Sequence, residues 1–204
     1  MLKEILEFNK IFVENQEYKK YTATKYPGKK LAILTCMDTR LVELLPAATG
    51  IRNGDIKLLK NAGGIISHPF GSMMRSLIVA IYQLEVQEIW IVGHDDCGME
   101  HLDTDIIVEK MKKRGISEEI FRQLKACHID YKKWLTGFDC VEDAVKETME
   151  VVVNHPLIPA DIKIEGLLIN STTGELKHIF TIGENSPESD KSKLYAATPI
   201  KQIG

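Results

Sequence analysis

Cysteines and long apolar runs are scarce in this sequence, and their scarcity excludes several protein classes. Only four cysteines occur among 204 residues, at positions 36, 97, 127 and 140, which is too few for a disulfide-stabilised secreted scaffold. No stretch approaches the roughly 20 apolar residues that a membrane-spanning helix requires. The N-terminal residues carry interspersed charges and lack the apolar core of a signal peptide. We therefore expect a cytoplasmic protein whose thiols are free, metal-bound or catalytic.

An excess of charge of either sign is missing as well. The 26 lysine and arginine side chains nearly balance the 29 aspartates and glutamates, which gives a formal net charge of -3. Such a balance predicts neither a nucleic-acid partner nor a membrane-surface partner. No Gly-x-Gly-x-x-Gly motif follows a predicted strand, which argues against dinucleotide binding. Apolar residues make up 44% of the chain, enough for the core of one domain of ordinary size.

Short apolar runs alternate with amphipathic segments along the chain. Apolar, β-branched runs predict strands at 31–35, 56–60, 88–92, 162–170 and 175–181. Apolar residues at helical spacing predict helices at 41–48, 72–86 and 139–154, and two more within 99–136. This alternation predicts an α/β fold, in which helices flank a mostly parallel β-sheet. A hairpin turn before the last strand would add that strand as an antiparallel edge.

The chain divides into three predicted regions. Residues 1–28 form an N-terminal helical arm, because apolar residues recur at helical spacing from Leu2 to Phe12. Residues 29–184 form a single α/β catalytic domain, and residues 185–204 form a polar C-terminal tail. The arm and the strongly apolar helix between the second and third strands both indicate a homodimer.

Segments of chemical interest follow three of the predicted strands. They are Cys36-Met-Asp38-Thr-Arg40, Asn61-Ala-Gly-Gly64 and His94-Asp-Asp-Cys97. In open parallel sheets, ligands bind outside the carboxyl ends of the strands. The sequence therefore predicts its functional site at that edge of the sheet.

A set of two thiols and one imidazole favours zinc. Cys36, His94 and Cys97 would offer two soft sulfurs and a borderline nitrogen. Structural zinc sites usually have four protein ligands, whereas three leave a position for water or substrate. Asp38 could close that position, or it could accept a hydrogen bond from zinc-bound water. Arg40 presents a planar fork that can hold the Asp38 carboxylate through two hydrogen bonds.

Taken together, these motifs resemble those of the β-class carbonic anhydrases, and Asn-Ala-Gly-Gly and Cys-Gly-Met are similar to the small prokaryotic subgroup. The resemblance implies one Zn²⁺ per chain, held by Cys36, His94 and Cys97. It implies reversible hydration of CO₂ to bicarbonate and a proton by a zinc-bound hydroxide that the Asp38–Arg40 dyad orients. In the family, the aspartate that pairs with the arginine marks an open, active state. The aspartate that instead ligates zinc as a fourth ligand marks a closed state.

The resemblance also implies how the substrate and the subunits are arranged. Gly63 and Gly64, with apolar side chains around them, would hold CO₂, which has no charge to bind. A backbone N–H at this corner could help polarise the substrate. The expected assembly is a homodimer that can pair further into a tetramer.

Three other functions stay open for the same residues. Some members of the family hydrolyse carbonyl sulfide or carbon disulfide on the same zinc. A metal-free thiol hydrolase would use Cys36 as nucleophile and His94 as base, which leaves Cys97 without a function. A non-catalytic zinc or redox sensor would bind zinc without turnover and would not need the Asp38–Arg40 pair.

Two stretches outside the motifs could affect substrate choice, and two aspartates follow His94 directly. Residues 65–70 and the helices within 99–136 could cap the pocket and alter which small molecule enters. Asp95 and Asp96 could orient metal ligands or begin a helix near its positive end, and for Asp96 we favour the helix start.

Overall fold

A single five-stranded sheet positions the predicted motifs. The computed structural model describes residues 1–182, and the predicted polar tail at 185–204 lies outside the described residues. The strands are β1 (Leu31–Cys36), β2 (Ile56–Asn61), β3 (Glu88–His94), β4 (Lys163–Ile169) and β5 (Leu176–Ile182). They lie in the order β2-β1-β3-β4-β5, and only the β4–β5 pair is antiparallel. The prediction of a mostly parallel sheet with an antiparallel edge strand is confirmed.

Helices cover both faces of this sheet. They are α1 (Leu2–Glu14), α2 (Leu41–Thr49), α3 (Ser72–Leu84), α4 (Thr104–Lys113), α5 (Glu118–Ala126), α6 (Tyr131–Leu135) and α7 (Val141–Val153). Side chains of α3 and α7 pack with Ile89 and Ile91 of β3 on one face. Side chains of α2 pack with Ile33 and Val92 on the other. Because both faces are covered, the central strands are apolar along their length rather than alternating.

Helix α7 lies close against the end of β3. A Cβ atom at Gly93 would lie 2.7 Å from Val141 Cγ2 and 2.8 Å from Val145 Cγ2. Because glycine has no side chain, α7 can pack directly against β3 here, whereas any larger residue would force the helix and the strand apart. The close approach fixes the strand end that carries His94.

The segment between β3 and α7 departs from the prediction. Two helices are predicted within 99–136, but the segment contains three. The predicted second helix breaks after α5, where His128 adopts a positive φ of 58°. Asp130 then caps α6 by accepting a hydrogen bond from the backbone N–H of Lys133 at 3.0 Å. The helix start at Asp96 is also wrong, because Asp96 has a φ of 50° and the next helix begins only at Thr104.

The N-terminal segment is helical, as the apolar spacing predicts. Helix α1 is followed by a short 3₁₀ helix, Glu17–Tyr21, and the rings of Phe12 and Tyr21 lie 6.1 Å apart. Within residues 1–182, none of the helices is both long and apolar enough to cross a membrane.

Candidate metal centre

The carboxyl ends of β1 and β3 lie side by side near the middle of the sheet. Thr35 in β1 pairs with Val92 in β3, so Cys36 and His94, which end the two strands, lie at the same edge. The chain leaves β1 towards β2 on one side and returns to β3 on the other. Such a reversal of strand order opens a crevice at the carboxyl edge of a sheet. Cys97 lies three residues beyond His94, in the turn that follows β3.

These three side chains form a buried cluster. Potential ligand atoms of Cys36, His94 and Cys97 all lie within 4.8 Å of one another, and the two sulfurs are 3.9 Å apart. The three residues are 5%, 0% and 5% exposed. In the part of the chain that the structure describes, no other group of three Cys, His, Asp or Glu residues has this spacing. Asp38, the fourth predicted ligand, is not a member of the group.

The imidazole of His94 is oriented so that one nitrogen is free for a metal. Its Nδ1 lies 2.7 Å from the carbonyl oxygen of Asp95, to which it donates as N–H. That bond leaves the lone pair on Nε2, which is buried and has no hydrogen-bond partner among the described residues. A buried, unpaired polar atom costs free energy. A metal ion would satisfy it, and a hydrogen bond from the other ring nitrogen to a carbonyl is usual for histidine ligands.

The turn that carries Asp95 is itself anchored. The Asp95 carboxylate accepts a hydrogen bond from the backbone N–H of Ser171 at 2.6 Å and another from the Asn170 side-chain amide at 2.8 Å. Both donors lie in the connection between β4 and β5. The imidazole orientation is therefore held by the sheet and not by the turn alone.

The two cluster thiols have opposite pKa shifts. Burial raises the pKa of Cys36, but the neighbouring His94 imidazole and the backbone N–H groups of Asp38 and Gly63 outweigh it and lower the pKa to about 7. At Cys97 burial dominates and raises the pKa, despite a hydrogen bond from the backbone N–H of Met99. These shifts favour deprotonation of Cys36 alone, and a bound divalent cation would favour deprotonation of Cys97 as well. Two sulfurs and one imidazole nitrogen form a donor set that fits zinc.

Arg40 holds Asp38 in a two-point pair. The arginine Nε donates to Asp38 Oδ1 at 3.0 Å, and Nη2 donates to Oδ2 at 2.8 Å. These side-chain hydrogen bonds, assisted by one from the Arg40 backbone N–H, lower the pKa of Asp38 from 3.8 to about 2. The guanidinium also donates from Nη1 to the Asp96 carboxylate at 2.7 Å and from Nη2 to the Asp96 carbonyl at 2.8 Å. Arg40 thus joins the turn after β1 to the turn after β3.

The predicted glycine corner is a tight turn at the end of β2. The Asn61 side chain accepts from the Ile65 N–H at 3.1 Å and donates to the Ile65 carbonyl at 2.7 Å, which closes the turn. A Cβ atom at Gly63 would lie 3.1 Å from Phe138 Cε1, so this residue borders side chains of the site. The Gly63 backbone also contributes to the lowered pKa of the Cys36 thiol. That a backbone N–H of this corner polarises the substrate stays a prediction.

Gly64 faces the backbone of β1. A Cβ atom there would lie 2.8 Å from the carbonyl carbon of Thr35 and 2.9 Å from the nitrogen of Cys36. Its φ of 67° is also one that residues with side chains rarely adopt. Gly64 therefore supports the corner from behind, at the strand end that carries Cys36.

Replacing Gly64 with alanine should strongly destabilise the protein. The left-handed φ and the backbone clash together predict a loss of about 2–4 kcal/mol in unfolding free energy. Gly50→Ala is the matched control, because Gly50 has a φ of 66° and a Cβ there meets nothing within 4 Å. That variant should lose only about 1 kcal/mol. Urea unfolding at equal protein concentration measures both losses, and equal losses would contradict the close packing of Gly64 on β1.

Sequence reasoning misses three residues that the structure brings to the site: Lys60, Met99 and Phe138. The Lys60 ammonium is buried with no hydrogen-bond partner among the described residues, and burial lowers its pKa, while the charges of Cys36 and Asp38 oppose that shift. Met99 and Phe138 pack against the apolar cluster that includes both thiols. Lys60 and Met99 adjoin motifs and could have been found there. Phe138 is far from every motif, so no sequence signal points to it.

The family of this chain follows from comparison with known proteins. A family model described as carbonic anhydrase matches residues 31–178, a range that includes the three cluster residues, Asp38 and Arg40. The chain belongs to the β-class carbonic anhydrase family. The expectation of an enzyme of this class is thereby confirmed, because β-carbonic anhydrases are zinc lyases.

Relatives of this chain include two proteins of Bacillus subtilis (strain 168). "Putative carbonic anhydrase YtiB" is 49% identical over 176 residues, which cover 86% of this chain and 94% of that protein. "Putative carbonic anhydrase YvdA" is 51% identical over 175 residues, which cover 86% of this chain and 89% of that protein. Among solved structures, the crystal structure of β-carbonic anhydrase isoform I from Trichomonas vaginalis has a TM-score of 0.81 at 38% identity, and the match covers 89% of this chain and 98% of that one.

A relative named for another substrate is also similar. A carbon disulfide hydrolase of Acidithiobacillus thiooxidans is 33% identical over 169 residues, which cover 77% of this chain and 81% of that protein. The family name therefore does not by itself decide which linear triatomic molecule this chain accepts.

Proposed function

We propose that this protein catalyses the reversible hydration of CO₂ to bicarbonate and a proton, with one Zn²⁺ held by Cys36, His94 and Cys97. The observation that carries the proposal is the buried, unpartnered Nε2 of His94 in a cluster with two buried thiols. Bound there, Zn²⁺ would supply Lewis-acid chemistry and lower the pKa of a water molecule enough for attack on CO₂ near neutral pH.

Asp38 and Arg40 would orient the attacking water. With a pKa of about 2, Asp38 is ionised at neutral pH and therefore acts only as a hydrogen-bond acceptor. By accepting a hydrogen bond from the water, Asp38 would orient a lone pair of the water oxygen towards the carbon atom of CO₂. Arg40 binds both carboxylate oxygens, so it is a positioning residue that opposes movement of Asp38 to a fourth ligand position.

The apolar surface beside the cluster would receive CO₂. Gly63, Met99 and Phe138 border one another at this place, and the last two pack against the cluster that contains both thiols. An uncharged, linear substrate gains from such a surface through desolvation and shape, without a charged partner. Gly63 would border the substrate directly, and Gly64 would contribute by keeping the corner close to β1.

Hydrolysis of carbon disulfide is the second candidate function. It is favoured by four relatives named carbon disulfide hydrolase, which are 28% to 33% identical to this chain. The relatives at 49% and 51% identity have carbonic anhydrase in their names, which favours CO₂. A metal-free thiol hydrolase would leave both Cys97 and the Asp38–Arg40 pair without a function. A zinc or redox sensor would leave the Asp38–Arg40 pair without a function.

Removal and return of zinc test the proposal. We expect about one zinc per chain in the purified protein, loss of CO₂ hydration on chelation, and recovery in proportion to the Zn²⁺ added back. Mg²⁺ is the control, because a hard cation prefers oxygen ligands and should restore nothing. Full activity of the zinc-free protein would contradict the proposal. A full zinc complement without CO₂ hydration would favour the carbon disulfide alternative.

We also propose that residues 29–184 act as one catalytic domain in the cytoplasm. All the proposed zinc ligands fall within this range. Both cluster thiols must stay reduced to bind a metal ion. The cytoplasm keeps thiols reduced, whereas oxidising compartments favour disulfides.

The N-terminal arm, residues 1–28, would mediate a homodimer, and two such dimers could form a tetramer. Helix α1 is amphipathic, yet it has no buried residue. Its exposed apolar side chains include Ile5 and Phe8, at 57% and 68% exposure. An isolated helix of this length is only marginally stable in water, so a second copy of the chain would cover its apolar face.

Substitutions in α1 test this assembly. The double variant Ile5→Ser, Phe8→Ser should sediment as a monomer at micromolar concentration, where the wild-type protein should sediment as a dimer or tetramer. Glu7→Ser changes the opposite, polar side of the same helix and should leave the assembly intact. A wild-type monomer, or an unchanged assembly in the double variant, would refute the proposed function of the arm.

A further inference from the structure

The chain segment between α6 and α7 is hydrogen-bonded to the segment that follows Cys97. The backbone N–H of Phe138 donates to the carbonyl of Met99 at 3.1 Å, and the N–H of His101 donates to the carbonyl of Phe138 at 2.8 Å. A Cβ atom at Gly137 would lie 1.8 Å from the Met99 carbonyl oxygen, so only glycine allows the two backbones to meet this closely. We call this contact of residues 137–138 with residues 99–101 the latch.

The latch places one aromatic ring over the glycine corner. Phe138 Cε1 would lie 3.1 Å from a Cβ atom at Gly63, and Met99 Cβ would lie 3.4 Å from it. Both side chains also pack against the apolar cluster that includes Cys36 and Cys97. Phe138 and Met99 therefore pack on the Gly63 corner and together with it form one apolar wall beside the thiols.

The helices before the latch support it. The rings of Phe121 in α5 and Tyr131 in α6 lie 5.1 Å apart, and Phe121 is buried. Lys132 in α6 pairs with Asp105 in α4. The latch therefore follows directly on a segment in which α4, α5 and α6 are packed together.

We infer that Phe138 is the specificity-determining residue of this site: its ring limits the width of the substrate space, so that CO₂ is accepted in preference to the larger CS₂. The inference rests on the proposed hydration of CO₂ and adds which group selects the substrate. Both molecules are linear and uncharged, so charge cannot separate them, whereas CS₂ is longer and thicker. Exclusion by size in an apolar pocket is worth roughly 10- to 200-fold in specificity.

Paired assays on zinc-loaded protein test the selection. CO₂ hydration is followed by proton release, and CS₂ hydrolysis by the sulfide formed in CS₂ + 2 H₂O → CO₂ + 2 H₂S. In Phe138→Ala we expect the ratio of kcat/KM for CS₂ to kcat/KM for CO₂ to rise about tenfold. Phe138→Leu, which keeps apolar volume and guards against misfolding, should give a smaller rise. Trp134→Ala removes a 64% exposed aromatic ring on α6 and should leave the ratio unchanged.

Alkylation of the zinc-free protein gives a readout that does not depend on turnover. Iodoacetamide and the bulkier N-phenylmaleimide are compared by peptide mass spectrometry at Cys36, with exposed Cys127 as internal standard. Relative to Cys127, the wild-type site should disfavour the bulky reagent, and Phe138→Ala should relieve this about tenfold.

The two readouts separate failure of the inference from failure of the proposed function. An unchanged substrate ratio in both Phe138 variants would overturn the inference, and so would an unchanged alkylation preference. If zinc-loaded wild-type protein hydrates no CO₂, the proposed function fails, and the alkylation preference alone then decides whether Phe138 forms the wall.

Discussion

Replacing Cys97 with serine should remove most of the zinc and, with it, CO₂ hydration. A neutral hydroxyl is a poor substitute for a thiolate, and the two remaining ligands, Cys36 and His94, would hold the metal weakly. We expect the zinc content to fall from about one per chain to roughly one tenth or less. We expect kcat/KM for CO₂ to fall on the order of a thousandfold. Elemental analysis and stopped-flow hydration measure the two effects on the same sample.

The other two cysteines provide matched controls. Cys127 is exposed, and the sulfur of Cys140 lies 3.3 Å from a Glu142 carboxylate oxygen, outside the cluster. Cys127→Ser and Cys140→Ser should retain both zinc and activity. A thiol hydrolase with Cys36 as nucleophile predicts the opposite for Cys97→Ser, namely retained activity. A full zinc complement with normal turnover in Cys97→Ser would remove this residue from the ligand set.

Arg40→Ala should suppress CO₂ hydration while leaving zinc bound. Without the arginine side chain, both oxygens of Asp38 lose their guanidinium donors. Only the backbone N–H of residue 40 still donates to Oδ1, so the carboxylate can turn towards the cluster more easily. Misplacement of an orienting group by an ångström can cost on the order of 100-fold in rate, and we expect a loss of that size. Stopped-flow hydration at matched zinc content measures it.

Two further variants separate position from charge. Arg40→Lys keeps the positive charge but loses the two-point hold, so its activity should be intermediate. Asp96→Asn removes the charge of the second Arg40 partner and keeps the Asp38 pair, so its loss should be only a few-fold. Normal turnover in Arg40→Ala would show that Asp38 needs no partner to be positioned.

The same substitution should change how stability depends on pH. Arg40 depresses the pKa of Asp38 from 3.8 to about 2. A depressed carboxyl pKa stabilises the folded state above the ordinary pKa, and this contribution is lost as the pH falls through the folded-state value. In zinc-free protein, the difference in unfolding free energy between wild type and Arg40→Ala should therefore be constant above about pH 5 and should shrink towards pH 2. A difference that grows on acidification would have the wrong sign.

The sheet and the thiol cluster were accessible from the sequence because local signals carry them. Short apolar runs identify strands, and Cys36 and His94 stand where two of these runs end. Parallel strands that reverse their order bring such ends to one crevice. The structure brings Cys36, His94 and Cys97 together there, as the spacing predicts. Their ligation of zinc stays a prediction.

The segment between β3 and α7 was less accessible, because long-range contacts decide it. The apolar stripe that starts at Ile120 continues past His128 without a proline or glycine, so the pattern predicts one helix. The break there depends on a positive φ at His128 and on the cap by Asp130. Phe138 reaches the site through backbone contacts with Met99 and His101. Nothing in the local sequence encodes that pairing.

Stopped-flow CO₂ hydration by wild-type protein of known zinc content is the most direct test of the central claim. It should be measured from about pH 6.5 to 9, the range in which a zinc-activated water ionises. We predict fast hydration in proportion to the zinc content, already substantial near neutral pH because Arg40 holds Asp38 in place. One zinc per chain with no CO₂ hydration at any pH in this range would contradict the claim.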